Sequence, residues 1–299
     1  MSEEQPPVLP GVTIQSKLGE GGMSTVYLAY DRRRGIPVAV KILNPDLTKS
    51  EEDLEKFATE SRMMETIDHE GIVKSYGLRM FDGKIYYLME FVDGYSFGDF
   101  LAKKHHLSEE DCLLICESVA SALDYAWNNF GIVHCDIKPD NIMINSQGVV
   151  KVTDLGLGRT FRFLKEGQVE VPDHVMGTPA YISPEQIFGD VELDCRADIY
   201  SLAASLYHLA TGHVLFPGLD TENTLRAHCD EKHQAPDPRT FHTLSEGFCQ
   251  MLEVMLVKDR NYRLPTWKDV FAMCREIERG TVFKPRPSAS VSSIRLGVD

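Results

Sequence analysis

Residues 134–156 read HCDIKPDNIMINSQGVVKVTDLG, and this stretch decides how the rest of the chain is read. An acidic residue, Asp136, is followed two positions on by Lys138 and five positions on by Asn141. The run NIMINSQGVVKVTD then alternates as a short hairpin, and a second acidic residue, Asp154, stands at its far end before Leu155 and Gly156. This set suffices for handling phosphates. One carboxylate can orient and deprotonate a hydroxyl, an ammonium can hold a γ-phosphate, and a carboxylate with an amide oxygen can hold magnesium against the phosphates. Polar residues chosen for turns explain any one of these positions but not their joint order.

Upstream, the stretch from Val12 to Ile42 alternates apolar and polar residues on both sides of Gly19, Gly21 and Gly22, which predicts strands joined around a glycine-rich interruption. Such glycines let backbone N–H groups approach phosphate oxygens, although a plain hairpin turn has the same composition. The pattern is neither a P-loop nor a dinucleotide fingerprint, because a strand and not a helix follows Gly22. Lys41 ends the apolar run VAVK, where its charge needs a partner. The segment EEDLEKFATESRMMETI predicts a helix capped by Ser50 with Asp53, and spacings of three and four put Phe57, Glu60, Met64 and Ile67 on one face. Glu60 is then a carboxylate in an apolar stripe, and Lys41 is its economical partner; snorkelling of both side chains to solvent is the alternative.

Two more strands fit IVKSYGLRMF and KIYYLMEFV, with Asp82-Gly83 as the turn. After Asp93-Gly94 the periods become helical: Ser108-Glu109-Glu110-Asp111 opens a helix through CLLICESVASALDYAWNN, and ADIYSLAASLYHLATG and GFCQMLEVML follow. The expected class is α+β in two lobes. Residues 1–11 form an extension, 12–92 a small antiparallel sheet with one helix, 93–280 a larger, mainly helical lobe, and 281–299 a Ser/Pro-rich tail or linker.

Composition narrows the function classes. The net charge of −14 over 299 residues opposes nucleic acid held by simple neutralisation. No apolar run approaches the length of a membrane helix and the first residues do not resemble a signal peptide, so the expected location is cytoplasmic. The 7 cysteines are scattered without a C-x-x-C pair, which predicts reduced thiols, and the 10 histidines show no H-E-x-x-H spacing.

With these motifs in order, together with GTPAYISPE, residues 12–280 resemble the eukaryotic-type (Hanks-type) serine/threonine protein kinases, most closely the bacterial members. The resemblance implies a bilobal protein kinase fold and transfer of phosphate from ATP, with Mg2+, to serine or threonine hydroxyls of protein substrates, with autophosphorylation as a further option. It makes Asp136 the catalytic base, has Lys138 steady the γ-phosphate, pairs Lys41 with Glu60, and has Asn141 and Asp154 hold magnesium. It also implies that Leu18, Gly19, Gly21, Gly22, Val26, Ala39, Lys41 and Met143 surround the nucleotide. Met89 then resembles the gatekeeper, and the backbones of Glu90 and Val92 meet the adenine edge. Thr178 would bond to Asp136 and Lys138, and Glu185 would pair with Arg263.

Some positions depart from the pattern. Cys135 stands where many relatives have an arginine that collects an activation-loop phosphate, which implies that activity does not depend on such a phosphate through this residue. Ser24, Leu155, Ser183 and Ala203 are small or apolar replacements that remove no catalytic group. The alternatives are a pseudokinase scaffold that binds ATP without turnover and a small-molecule kinase of similar fold; the latter leaves GTPAYISPE unexplained.

Overall fold

The computed structural model describes residues 7–21, 24–43, 61–155, 178–190, 192–241 and 244–280. Alternating sequence in the first half becomes an antiparallel sheet of β1 (Val12–Glu20), β2 (Ser24–Asp31), β3 (Ile36–Leu43), β4 (Ser75–Phe81) and β5 (Lys84–Glu90), in the order β1-β2-β3-β5-β4. Ala39 pairs with Met89 and Lys41 with Tyr87, so the period of two gives the sheet two distinct faces. Val38, Val40, Tyr86 and Leu88 close over Leu9, Val12 and Ala29 on the outer face. Ala39, Tyr87 and Met89 cluster on the inner one.

The turns follow from local chemistry. Asp82 and Gly83 both take positive φ, 51° and 68°, which suits the twist of a two-residue hairpin. Asp31 closes the β2–β3 turn by accepting from the backbone N–H of Arg33 at 2.8 Å and the Arg34 guanidinium at 2.7 Å. Residues 61–65 form a helical turn, α1. The expected cap Ser50 with Asp53, and Phe57 and Glu60, lie outside the described residues.

The second half begins with β6 (Gly94–Ser96) and α2 (Phe97–Lys104), then α3 (Glu109–Phe130), the hairpin β7 (Ile142–Asn145) and β8 (Val150–Val152), and α4 (Pro184–Ile187). It continues with α5 (Cys195–Thr211), α6 (Thr221–Cys229), α7 (Glu246–Met255) and α8 (Trp267–Glu278). The Ser108 hydroxyl caps α3 by accepting from Asp111 N–H, and Gly131 ends it in the left-handed region. Helix α5 is buried on nearly every side, as its almost continuous apolar run requires. The helical pattern ADIYSLAASLYHLATG places its start at Ala197. It starts earlier, at Cys195, because Asp194 caps it through Arg196 N–H at 2.9 Å and leaves Asp198 free for another task.

A seam joins the two halves. Val152 N–H donates to Gly71 O at 2.8 Å and Val73 N–H donates to Val152 O at 2.9 Å. Beside it, Glu90 holds the Lys151 ammonium at 3.0 Å and accepts from Lys74 N–H at 3.1 Å. At the link, a Cβ on Gly94 would lie 1.9 Å from the Ile144 carbonyl oxygen, so only glycine lets β6 pass β7 this closely. Among the described residues no helix is long and apolar enough to cross a membrane.

Candidate active site

The loop before β7 is fixed from below by α5. Asp198 is buried and accepts two backbone N–H groups, from His134 at 2.7 Å and from Cys135 at 2.8 Å. Burial pushes its carboxyl above the ordinary value, partly offset by these two backbone donors. Cys135 itself adopts φ 66°, a left-handed conformation uncommon for a residue with a Cβ, and its carbonyl accepts from Gln186 Nε2 at 2.7 Å. His134 Nε2 lies 2.8 Å from Thr153 O, and Asp136 N–H meets His134 Nδ1 at 3.3 Å. One neutral tautomer satisfies both contacts: Nε2–H donates and Nδ1 accepts.

So held, the loop presents Asp136 to a converging set of donors. Lys138 Nζ is 2.9 Å from Asp136 Oδ2, and Asn141 Nδ2 donates to the same oxygen at 3.0 Å. Thr178, from a segment 42 residues away, donates its backbone N–H to Asp136 Oδ1 at 3.3 Å and accepts the Lys138 ammonium at 2.8 Å. The Asp136 side chain keeps 26% exposure, enough for an incoming hydroxyl to reach it.

Across the cleft, Asp154 takes φ 61° and its Oδ2 is 2.8 Å from Lys41 Nζ. Burial pushes this carboxyl up, but the charge and hydrogen bond of Lys41, with Lys138 beyond, outweigh it and hold the group below its ordinary value. The carboxylate therefore stays ionised. Its other oxygen, Oδ1, is buried and has no hydrogen-bond partner among the described residues. An orphaned anionic oxygen is costly, and a hard cation is the natural ligand for it. Asn141 spends its amide nitrogen on Asp136, which leaves the amide oxygen for the same cation. These residues fit magnesium.

The proposed nucleotide wall is partly assembled. Val26 packs against Ala39, Tyr87 and Met89 on the inner face of the sheet. Gly19 and Gly21 lie at the β1–β2 hairpin, where an added Cβ would meet nothing within 4 Å at Gly19 and only Ser24 O at 3.9 Å at Gly21, so open space and not packing surrounds them. Leu18 on the same strand is 49% exposed. Glu90 gives its N–H to Lys74 O at 2.8 Å, so of its backbone only the carbonyl could serve a ligand. Val92 is buried, and neither of its backbone groups is engaged among the described residues. Met143 sits on β7 between Ser96 and Lys151. Gly22 and Glu60 lie outside the described residues; within them the partner of Lys41 is Asp154.

Sequence reasoning missed how the loop is positioned. His134, Gln186 and the carboxylate of Asp198 form its support, and Glu90 with Lys151 ties the lobe link to β8. The signal for Asp198 was available: an acidic residue in an otherwise apolar helix must find donors. Glu185 and Arg263 do pair, at 2.6 and 3.2 Å, and the Arg263 side chain is fully buried.

A family model described as the protein kinase domain matches residues 12–273. The chain is 34% identical over 277 residues to a probable serine/threonine-protein kinase PknB of Bifidobacterium longum, covering 89% of this chain and 40% of that protein. It is 34% identical over 245 residues to the serine/threonine-protein kinase PknB of Mycobacterium tuberculosis, covering 81% and 38% respectively. Thus the chain spans well under two thirds of the length of these relatives. The crystal structure of a double mutant of the Mycobacterium tuberculosis PknI kinase domain superposes with a TM-score of 0.72 at 25% identity, covering 92% of this chain and 99% of that one. Sequence, fold and the order of its motifs agree, and this chain belongs to the protein kinase family, among relatives named as bacterial serine/threonine kinases.

Proposed function

We propose that this chain transfers the γ-phosphoryl group of ATP to serine or threonine hydroxyls of proteins, with Asp136 as the base that accepts the hydroxyl proton. The observation that carries this reading is the convergence of Lys138, Asn141 and Thr178 on one accessible carboxylate. Asn141 and Thr178 aim the two oxygens of Asp136, and Lys138 stands beside it to meet a phosphate oxygen. Lys41, drawn to Asp154, lies ready for the inner phosphates. Asp154 Oδ1 and the Asn141 amide oxygen are the groups that would hold magnesium, which when bound neutralises phosphate charge.

The adenine would lie between Val26 and Ala39 above and Met143 below, with its edge on the Glu90 carbonyl and the free backbone of Val92. Bacterial relatives named serine/threonine-protein kinases favour those acceptors over tyrosine. Autophosphorylation in trans is part of the proposal, as is a cytoplasmic setting, which suits cysteines that are all free thiols.

Intact-mass spectrometry of the dephosphorylated chain with magnesium-ATP and a generic basic protein, beside Asp136→Asn, tests the reading. Phosphate gained with the parent and lost with the variant supports it. No gain from either, with ATP still raising the melting temperature, would hand the function to an ATP-binding scaffold.

A further inference from the structure

The peptide unit that joins Cys135 to Asp136 is held at both of its polar atoms. Its carbonyl accepts from Gln186 Nε2 at 2.7 Å, and its N–H meets His134 Nδ1 at 3.3 Å. Cys135 itself sits at φ 66°, a conformation that a residue with a Cβ keeps only where its surroundings enforce it. His134 and Asp198 enforce it from the buried interior of the large lobe. Gln186 reaches the loop from elsewhere, half-buried on α4, in the segment 178–190 that also carries Thr178.

That segment therefore grips Asp136 at two levels, with Thr178 N–H on the carboxylate at 3.3 Å and Gln186 on the backbone behind it. Glu185, the neighbour of Gln186, is pinned to the buried Arg263 at 2.6 Å, so the grip has a fixed base. The orientation of the Gln186 amide is settled by its other contacts: Oε1 accepts from Ser183 Oγ at 2.9 Å and from Ser183 N–H at 3.3 Å. Reversed, it would set NH2 against N–H and oxygen against the Cys135 carbonyl. Ser183 and Gln186 also form the capping box of α4, a task that glutamate performs equally well. Capping accounts for the oxygen of Gln186 and leaves its nitrogen unexplained.

We propose that Gln186 is a positioning residue for Asp136: its Nε2–H couples the backbone of the base to the segment that borders the incoming hydroxyl. A hydroxyl that approaches the exposed Asp136 carboxylate passes Thr178, so one piece of chain aligns both the acceptor and the base. Loss of the coupling displaces the base relative to the acceptor and leaves the nucleotide groups, Lys41 and Asp154, where they are. The inference rests on the proposed phosphoryl transfer and deepens it by naming a residue outside HCDIKPDN on which turnover depends.

The test compares Gln186→Glu with Ser183→Ala in steady-state transfer to the generic basic protein, beside the parent and Asp136→Asn. Gln186→Glu keeps the capping acceptor but turns an oxygen on the Cys135 carbonyl. Its kcat should fall by at least about tenfold with KM for ATP within about twofold, whereas a capping role alone leaves kcat unchanged. Ser183→Ala keeps the Ser183 N–H and the Cys135 contact; it should lower the melting temperature and hold kcat within about twofold. Gln186→Met serves where Gln186→Glu fails to fold, with the same expected loss. Amide exchange across residues 132–138, followed by mass spectrometry without ATP, should quicken in both Gln186 variants and not in Ser183→Ala. An unchanged kcat in the Gln186 variants, a kcat that merely tracks melting temperature across all three, or unchanged exchange would overturn the inference. If the parent transfers no phosphate, the catalytic reading fails, and exchange alone decides whether Gln186 holds Asp136 in place.

Discussion

Asp198 accepts the backbone N–H of Cys135 at 2.8 Å across 63 residues of sequence, and its second oxygen takes the neighbouring N–H of His134. An asparagine there can accept only one of the two, because its NH2 would confront the other donor. We expect Asp198→Asn to cost roughly 1–3 kcal/mol of stability. Steady-state kinetics should show kcat falling by at least about tenfold, with KM for ATP much less affected, since the loop that carries Asp136 loses its anchor.

Thr178 bridges the Lys138 ammonium and the Asp136 carboxylate. Thr178→Val keeps the shape and the backbone contact but removes the acceptor that orients Lys138. The expected loss is about tenfold to a hundredfold in kcat, while Thr178→Ser should stay within a few-fold of the parent. Equal damage from both would point to packing of the methyl group instead.

Arg263 spends every N–H it has: on Glu185 twice and on the carbonyls of Val257, Arg196 and Lys258. Arg263→Ala strands a buried carboxylate, with an expected loss of about 3–5 kcal/mol in urea unfolding. Glu185→Gln combined with Arg263→Met should lose less than Arg263→Ala alone, since no unpaired charge remains.

His228 is fully buried beside Tyr200, with its Nδ1 2.8 Å from the phenol, and burial drives its pKa down to about 4. The unfolded chain takes up this proton near the ordinary value, about 6.5, and the folded chain resists it. The contribution of neutral His228 is thus complete above about pH 6.5, falls by roughly 1.4 kcal/mol per pH unit towards pH 4, and then levels off. Urea midpoints measured from pH 7 down to 4.5 should converge between the parent and His228→Gln; parallel curves would remove His228 as the source.

Cys135 places a neutral thiol beside the loop and its backbone is held by Asp198 and Gln186. Phosphatase treatment of the purified chain is expected to leave its rate within about twofold, because no guanidinium at this position waits for a phosphate. Introducing one by Cys135→Arg should make the rate phosphatase-sensitive.

Local pattern made the strands, the Asp82-Gly83 turn and the caps of α3 legible, because each depends on residues within a turn or a pleat of one another. The grouping of Lys138 and Asn141 around Asp136 was legible through their order in HCDIKPDN, which the family resemblance sharpened. What escaped the reading pairs residues distant in sequence. Lys151 meets Glu90 across 61 positions, and His134 meets Asp198 across 64. Periodicity says that a side chain is buried but not whom it faces, so nothing local shows that Asp198 anchors His134 and Cys135 while Asp194 caps the helix. The pairing of Glu185 with Arg263 was accessible only through resemblance, since nothing in the two segments alone joins them.

The stitching of Gly71 and Val73 to Val152, with Glu90 clasped to Lys151 alongside, sets the leverage of the small lobe. A joint pinned at the rear behaves as a pivot, and displacement grows with the arm measured from it. Strands β1 and β2, attached through β3 and β5, lie farther out along that arm, so a small rotation at the joint becomes a wider swing over the place where phosphates would lie. On the proposed function, a spent nucleotide would leave at the front of the cleft while the rear hydrogen bonds stay intact.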